Sequence, residues 1–259
     1  MSSAFAGKRC IITGAASGIG QASARLLKAQ GARLALWDRD ADGVQRLAAE
    51  LGAEAYVVDV TDADAVAAAV EQSALGGLDA LLHCAGILHT RTFEQIPIND
   101  QRRMVEVNFI GTMTIAHAAL PHLRSSRGSL VLVASLSAFY GAPEYAVYGA
   151  TKAAVLSFAQ ALRVELAGSG VHIGVVCPLF VNTPMIAGYN GNTHLIRSRS
   201  PLFNTSEPGQ IAAVILRGIE RRAFMIFPGW RTRLVFWITR YAHFLNHRVT
   251  LMTYRQGGG

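Results

Sequence analysis

Seven short apolar runs recur along the chain, and stretches of helical periodicity separate them. RCIIT (9–13), RLALW (33–37), EAYVVDV (54–60), LDALLHCAG (78–86), SLVLVAS (129–135), VHIGVVCP (171–178) and AFMIF (223–227) read as strands. Between them GIGQASARLLKAQG (18–31), ADGVQRLAAELG (41–52) and DADAVAAAVEQSA (62–74) read as helices. Two longer helices are predicted from near Ile98 to Leu120 and from Tyr145 to Ala167, and Ser206 reads as the N-cap of EPGQIAAVILRGIERR. Such alternation requires right-handed crossovers and a parallel sheet. Strands apolar on both faces require helices on both sides of it. The predicted fold class is α/β, a doubly wound parallel sheet of about seven strands in a single domain, with ligands at the carboxyl ends of the strands.

The length of 259 residues suits one such domain, spanning 1–228, with 229–259 as a basic amphipathic extension. The net charge is +7, and its placement is uneven. The body through Glu220 is neutral, whereas 221–259 holds seven arginines and no acid. No nucleic-acid recognition motif accompanies this charge, and none is expected as a partner. Cys10, Cys84 and Cys177 sit in or at the ends of strand-like runs, which fits buried free thiols in a reducing compartment. No Cys/His spacing suits a metal. The start, MSSAFAGKRC, lacks the form of a secretory signal, so a cytoplasmic location is expected, with the inner membrane surface as the open alternative.

The first strand runs into TGAASGIG (13–20). Gly14, Gly18 and Gly20, with Ser17 and Ile19 between them, occupy a strand-to-helix turn. Glycine permits close backbone approach to a pyrophosphate, and the helix start offers free N–H groups. Asp38 closes the second strand, where a carboxylate can accept hydrogen bonds from ribose hydroxyls and repel a 2′-phosphate. The pattern points to a Rossmann-type dinucleotide site that takes NAD. Arg39 keeps NADP open. Asp59, followed by Val60, ends the third strand and can reach an adenine or cap the next helix.

Tyr148 and Lys152 stand four apart in YGATK and project from one helix face. A phenol is a poor base at neutral pH, and a nearby ammonium lowers its pKa. Ser135, ending the preceding strand, can hold a substrate oxygen beside the tyrosine. Tyr140 and Tyr145 are rival phenols without this lysine and read as pocket wall or core. His117 and His122 read as helix-surface or otherwise satisfied residues.

With these residues in view, nearly the whole chain resembles the short-chain dehydrogenase/reductase family. TGAASGIG is similar to that family's cofactor loop, and Ser135, Tyr148 and Lys152 to its catalytic triad, with thirteen positions from serine to tyrosine. The resemblance implies that Asn108, in VEVNFIGT, is the structural and proton-relay asparagine, holding a water that links Lys152 to solvent. It implies that Lys152 also binds the nicotinamide ribose and that Thr183 bonds the carboxamide. It places Cys84-Ala85-Gly86, Pro178 and Val181 along the cofactor. It implies a homodimer or homotetramer through the two long helices. Two departures stand out: Cys84 replaces an asparagine and Leu179 replaces a glycine.

LSAFYGAPEY and LFVNTPMIAGY are apolar and aromatic. Leu136, Phe139, Tyr145, Leu179, Phe180 and Met185 are the predicted substrate wall, with NGNTHLIRSRSPLFN as a lid in which Arg197 or Arg199 could meet an acidic group. The expected substrate is a bulky hydrophobic secondary alcohol or its ketone, with an NADPH ketoreductase or an idle nucleotide-sensing scaffold as alternatives. In the tail, Leu234, Trp237, Ile238, Tyr241, Phe244 and Leu245 make one apolar helix face. A helix docked by that face on its own domain or on a partner subunit is the favoured reading. An interfacial helix on an anionic membrane through 230–255, and a site for an acidic macromolecule, remain open.

Overall fold

A computed structural model of the chain describes residues 3–187, 205–242 and 251. Seven parallel strands form one sheet in the order β3-β2-β1-β4-β5-β6-β7. They are β1 (Arg9–Thr13), β2 (Arg33–Asp38), β3 (Glu54–Val57), β4 (Ala80–His83), β5 (Ser129–Val133), β6 (His172–Val176) and β7 (Met225–Ile226). The third and seventh are shorter than their apolar runs, because pairing exists on one side only at these sheet edges.

Helices α1 (Gly18–Ala29), α2 (Ala41–Leu51) and α3 (Ala63–Ser73) follow the first three strands. Asp40 and Asp62 cap the second and third, accepting hydrogen bonds from Gly43 N (3.1 Å) and Ala65 N (3.0 Å). The stretch predicted as one helix from Ile98 is interrupted. Helix α4 (Ile98–Val105) passes through a π turn, Glu106–Ile110, into α5 (Gly111–Ser126). The turn's wider winding is stabilised by the Thr112 hydroxyl, which donates to the Asn108 carbonyl at 2.7 Å. Helix α6 (Ala146–Glu165) is continuous, and α7 (Pro184–Ala187) is a single turn.

Ser206 does not cap the next helix, α8 (Pro208–Glu220), whose N-cap is Glu207. Ser206 instead bridges to Val181: its N–H donates to the Phe180 carbonyl and its own carbonyl accepts from Asn182 N, each at 2.9 Å. Backbone pairing with the segment after β6 outcompetes the side-chain cap.

The core has a layer on each face of the sheet. One holds Trp37, Leu81, Ile115, Leu130, Leu132 and Val155; the other holds Ile12, Leu27, Leu36, Leu47, Ile211 and Ile215.

The C-terminal helix α9 (Gly229–Tyr241) lies on the domain, but not by its predicted apolar face. Its buried residues are Thr232, Val235 and Thr239. Phe236 joins them, packing edge-on against Phe139 with ring centroids 4.9 Å apart and lying 4.9 Å from Phe227. The two threonines can face the core because their hydroxyls donate to carbonyls of their own helix turn, Thr232 to Gly229 (2.8 Å) and Thr239 to Phe236 (2.9 Å). Leu234, Trp237 and Tyr241 face solvent instead. Phe244 and Leu245, like the predicted lid, lie outside the described residues.

Candidate active site

The sheet order reverses between β1 and β4, and the chains leaving these two strands part there to open a crevice. A continuous cleft of about 850 Å³ occupies it. Gly14 takes φ +64° in the turn after β1, and any Cβ on it would lie 2.8 Å from the Ala85 backbone nitrogen. Gly18 takes φ +54°, with the Thr183 methyl 3.0 Å from where its Cβ would be. Both positions therefore demand glycine, and they bring backbone to the cleft where a side chain would fill it.

Gly14, Ser17, Gly18, Ile19 and Gly20 line this end of the cleft, with Asp38 at its rim. The Asp38 carboxylate accepts from Ala16 N at 2.9 Å and from Asp40 N at 3.0 Å, which fixes it beside the glycine turn. Arg39 lines the same rim. Asp59 and Val60 follow β3. Burial would raise the Asp59 carboxyl, but the Thr61 backbone N–H, the Thr61 hydroxyl and the Arg103 guanidinium outweigh it and hold its pKa below the usual carboxylate range. The Arg103 contact is 2.6 Å. Helix α3 is capped by Asp62, so Asp59 is free of that task.

Cys84, Ala85 and Gly86 form the floor after β4. The Thr13 hydroxyl accepts from the backbone N–H groups of both Cys84 and Ala85 at 3.2 Å, so this turn is held without an asparagine amide. Burial pushes the Cys84 thiol up to about 12, an unreactive value. Asn108, in the π turn, is buried behind the floor and does not line the cleft. Its amide donates to the Ile87 carbonyl (2.9 Å) and the Thr151 hydroxyl (3.1 Å), and its oxygen accepts from Ile87 N (2.8 Å). It ties β4's exit loop to α6. Pro178, Val181 and Thr183 complete the lining from the segment after β6.

Ser135 follows β5 and caps a 3-10 turn, Leu136–Ala138, its hydroxyl accepting from Ser137 N at 3.2 Å. Tyr148 and Lys152 enter the same cleft from α6. The Lys152 Nζ lies 5.6 Å from the Tyr148 ring centroid and donates to the Val133 carbonyl at 2.9 Å. Burial lowers its pKa to about 8. The Tyr148 phenol is pushed well above its ordinary value by burial, and the Ser135 hydrogen bond pulls it partly back. The lowered phenol pKa expected from a neighbouring ammonium is thus not found. The amine faces the ring and is engaged with a carbonyl, while desolvation acts on both groups.

The substrate-side wall differs from expectation at two positions. Tyr145, Leu179, Phe180 and Met185 line the cleft, but Leu136 and Phe139 do not. The 3-10 turn directs Leu136 into the core, fully buried, and Phe139 onto Phe227 and Phe236. Leu88, His89, Ala142 and Ile186 take part in the wall, as does Tyr140, while Arg103 lines the cleft beside Asp59. The apolar pair Ile87-Leu88 after Cys84-Ala85-Gly86 was the available signal for the first of these.

A family model described as short chain dehydrogenase matches residues 8–193. The chain is 34% identical over 224 residues to cis-4-hydroxycyclohexanecarboxylate dehydrogenase of Sinomonas cyclohexanicum, covering 83% of this chain and 90% of that enzyme. It is 36% identical over 217 residues to meso-2,3-butanediol dehydrogenase of Serratia marcescens, covering 82% and 86%. A 3-ketoacyl-(acyl-carrier-protein) reductase from Brucella melitensis, solved in complex with NADH, superposes with a TM-score of 0.80 at 26% identity, covering 88% of this chain and all of that one. The glycine turn, the cleft at the strand reversal and these likenesses agree: the chain is an NAD(P)-dependent oxidoreductase of CH–OH groups and belongs to the short-chain dehydrogenase/reductase family.

Proposed function

We propose that the protein is an NAD-dependent dehydrogenase of bulky hydrophobic secondary alcohols, or of the corresponding ketones in reverse: steroid-like, aromatic or long-chain. The carrying observation is the apolar wall beyond Ser135 and Tyr148, where Leu88, Tyr145 and Phe180 form a buried cluster with Leu179, Tyr148 and Ile186 packed against it. Such a wall favours apolar surface by about 25 cal/mol per Å² buried and leaves sugar hydroxyls unpaired. The Sinomonas relative is named for a hydroxyl-bearing cyclohexane acid, which agrees with a ring alcohol as substrate. Asp38 supports NAD, since a second negative group beside its carboxylate would be repelled. Arg39 on the same rim favours NADP as the second reading.

When bound, the nicotinamide cofactor accepts or supplies the hydride. Gly14, Gly18 and the start of α1 would hold its pyrophosphate, and Asp38 a ribose. Tyr148 takes the alcohol proton onto its phenolic oxygen in oxidation and returns it in reduction. Ser135 orients the substrate oxygen beside that phenol. Lys152, protonated at neutral pH with its pKa lowered to about 8, would hold the nicotinamide ribose and keeps a positive charge 5.6 Å from the Tyr148 ring centre. Asn108 is a positioning residue, holding α6 to the loop at Ile87.

A spectrophotometric panel of hydrophobic and polar alcohols and ketones with both cofactors tests this. Turnover should appear with apolar secondary alcohols and NAD. Tyr148→Phe should abolish turnover and keep NADH binding. Activity confined to small polyols or sugars would sink the substrate assignment, and persistent turnover in Tyr148→Phe would sink the mechanism.

A further inference from the structure

The exposed face of α9 carries four large apolar or aromatic side chains. Trp230, Leu234, Trp237 and Tyr241 recur at intervals of four, three and four along it, so they form one stripe. Their relative exposures are 66%, 40%, 55% and 70%, and no described residue covers them. Trp237 and Tyr241 are stacked with ring centroids 4.9 Å apart. At 100° per residue, Arg231 falls on one flank of the stripe and Arg233 and Arg240 on the other. Arg233 and Arg240 are exposed, and the Arg231 guanidinium lies 5.7 Å from the Trp230 ring centroid. The opposite face of the helix is fixed to the domain through Val235, Phe236 and the two back-bonded threonines.

We propose that this stripe docks the enzyme in the plane of an anionic lipid surface. Amphipathic rings at the headgroup level, an aliphatic residue between them and cations on both flanks match what such a surface offers. No helix among the described residues is long and apolar enough to cross a membrane, so the contact is superficial. A second copy of the chain fits less well. A two-fold pairing would set the arginine flanks against each other, and 221–259 contains no acid to neutralise them. Charge complementarity selects a negative surface, and the aromatic stripe selects one with an apolar interior.

Docking would also orient the enzyme. Phe236 of α9 packs on Phe139, one residue beyond the 3-10 turn that Ser135 caps. The lipid-facing helix therefore rests on the loop bordering the cleft. This proposal does not depend on the substrate assignment.

The test uses the full chain with vesicles of phosphatidylcholine alone and vesicles in which about a third of the lipid is phosphatidylglycerol. The protein should float with the anionic vesicles, weakly or not at all with the neutral ones, and less as salt rises. Tryptophan emission should shift to the blue on binding. Trp230 and Trp237 are exposed, and Trp37, the third tryptophan, is buried and supplies a constant background. Trp230→Ser with Trp237→Ser, and Arg233→Gln with Arg240→Gln, should each weaken binding by about tenfold or more. Turnover in free solution and the thermal midpoint should not change. Absence of flotation at low salt overturns the proposal, as does flotation that both double variants retain. Self-association abolished by Trp237→Ser, without lipid binding, also overturns it, in favour of a second copy. Capture by an acidic protein, without lipid binding, does the same.

Discussion

The amine of Lys152 sits 5.6 Å from the centre of the Tyr148 ring, and it donates its hydrogen bond to the Val133 carbonyl at 2.9 Å. A buried amine in this setting releases its proton early, at a pKa of about 8 against the ordinary 10.5. Between those values the unfolded chain binds a proton that the folded chain does not. This group therefore adds stability as pH rises from about 8 towards 10.5, and costs stability below that window. Lys152→Met should lack this rise. In urea melts the variant should match or exceed the parent at pH 7 and lose its relative advantage by pH 10, while its kcat falls at least about a hundredfold.

His83 carries the same logic into the acid range. The imidazole is fully enclosed, its Nδ1 is 2.8 Å from the Thr13 hydroxyl, and burial lowers its pKa to about 3. The unfolded chain binds this proton below about 6.5, so stability should fall as pH drops through that value. Denaturant titrations between pH 7 and 4 should show His83→Leu with a shallower acid slope, by up to about 1.4 kcal/mol per pH unit. An unchanged slope would mean that His83 is protonated in the fold.

Gly14→Ala should damage both cofactor binding and stability. Its positive φ and the Ala85 nitrogen 2.8 Å from a new Cβ leave the side chain no room without moving the β4 exit. The expected cost is about 1–2 kcal/mol in stability and at least about tenfold in NADH affinity by fluorescence titration.

Phe236→Ala removes the ring lodged against Phe139 and Phe227. A partly buried aromatic of this kind should cost about 2–3 kcal/mol. Because Phe139 adjoins the turn capped by Ser135, the substrate KM should rise more than the KM for cofactor. Equal effects on both would show that the loop is held by other contacts.

The order of elements was legible because the central strands β1, β4, β5 and β6 are buried on both faces and so read as apolar runs, with turn signals and helical periodicity between them. That Ser135, Tyr148 and Lys152 meet in one cleft, beside the glycine turn, was legible because the chemistry they suit restricts residue types at fixed spacing. What the sequence hid were outcomes of competition between distant partners. Ser206 has the form of a cap, yet its backbone pairs with Phe180 and Asn182. Leu136 and Phe139 have the composition of a pocket wall, yet a 3-10 turn rotates them into the core and onto α9. The tail showed its stripe plainly, but periodicity cannot say which side of a helix meets the protein. Thr232 and Thr239, silent as hydrophobic signals, form the docked face because each satisfies its own hydroxyl.

The π turn at Glu106–Ile110 carries a further consequence. The residues on either side, Val105 and Gly111, keep ordinary helical dihedrals. The turn therefore behaves as one surplus residue in an otherwise unbroken helix, and shortening it by one would let α4 and α5 fuse without repacking the sheet. What would be lost is the reach of Asn108 to Ile87 and Thr151. Length at this point is thus separable from folding: a single deletion should yield a well-folded chain with a crippled site, whereas most deletions inside helices threaten the fold first.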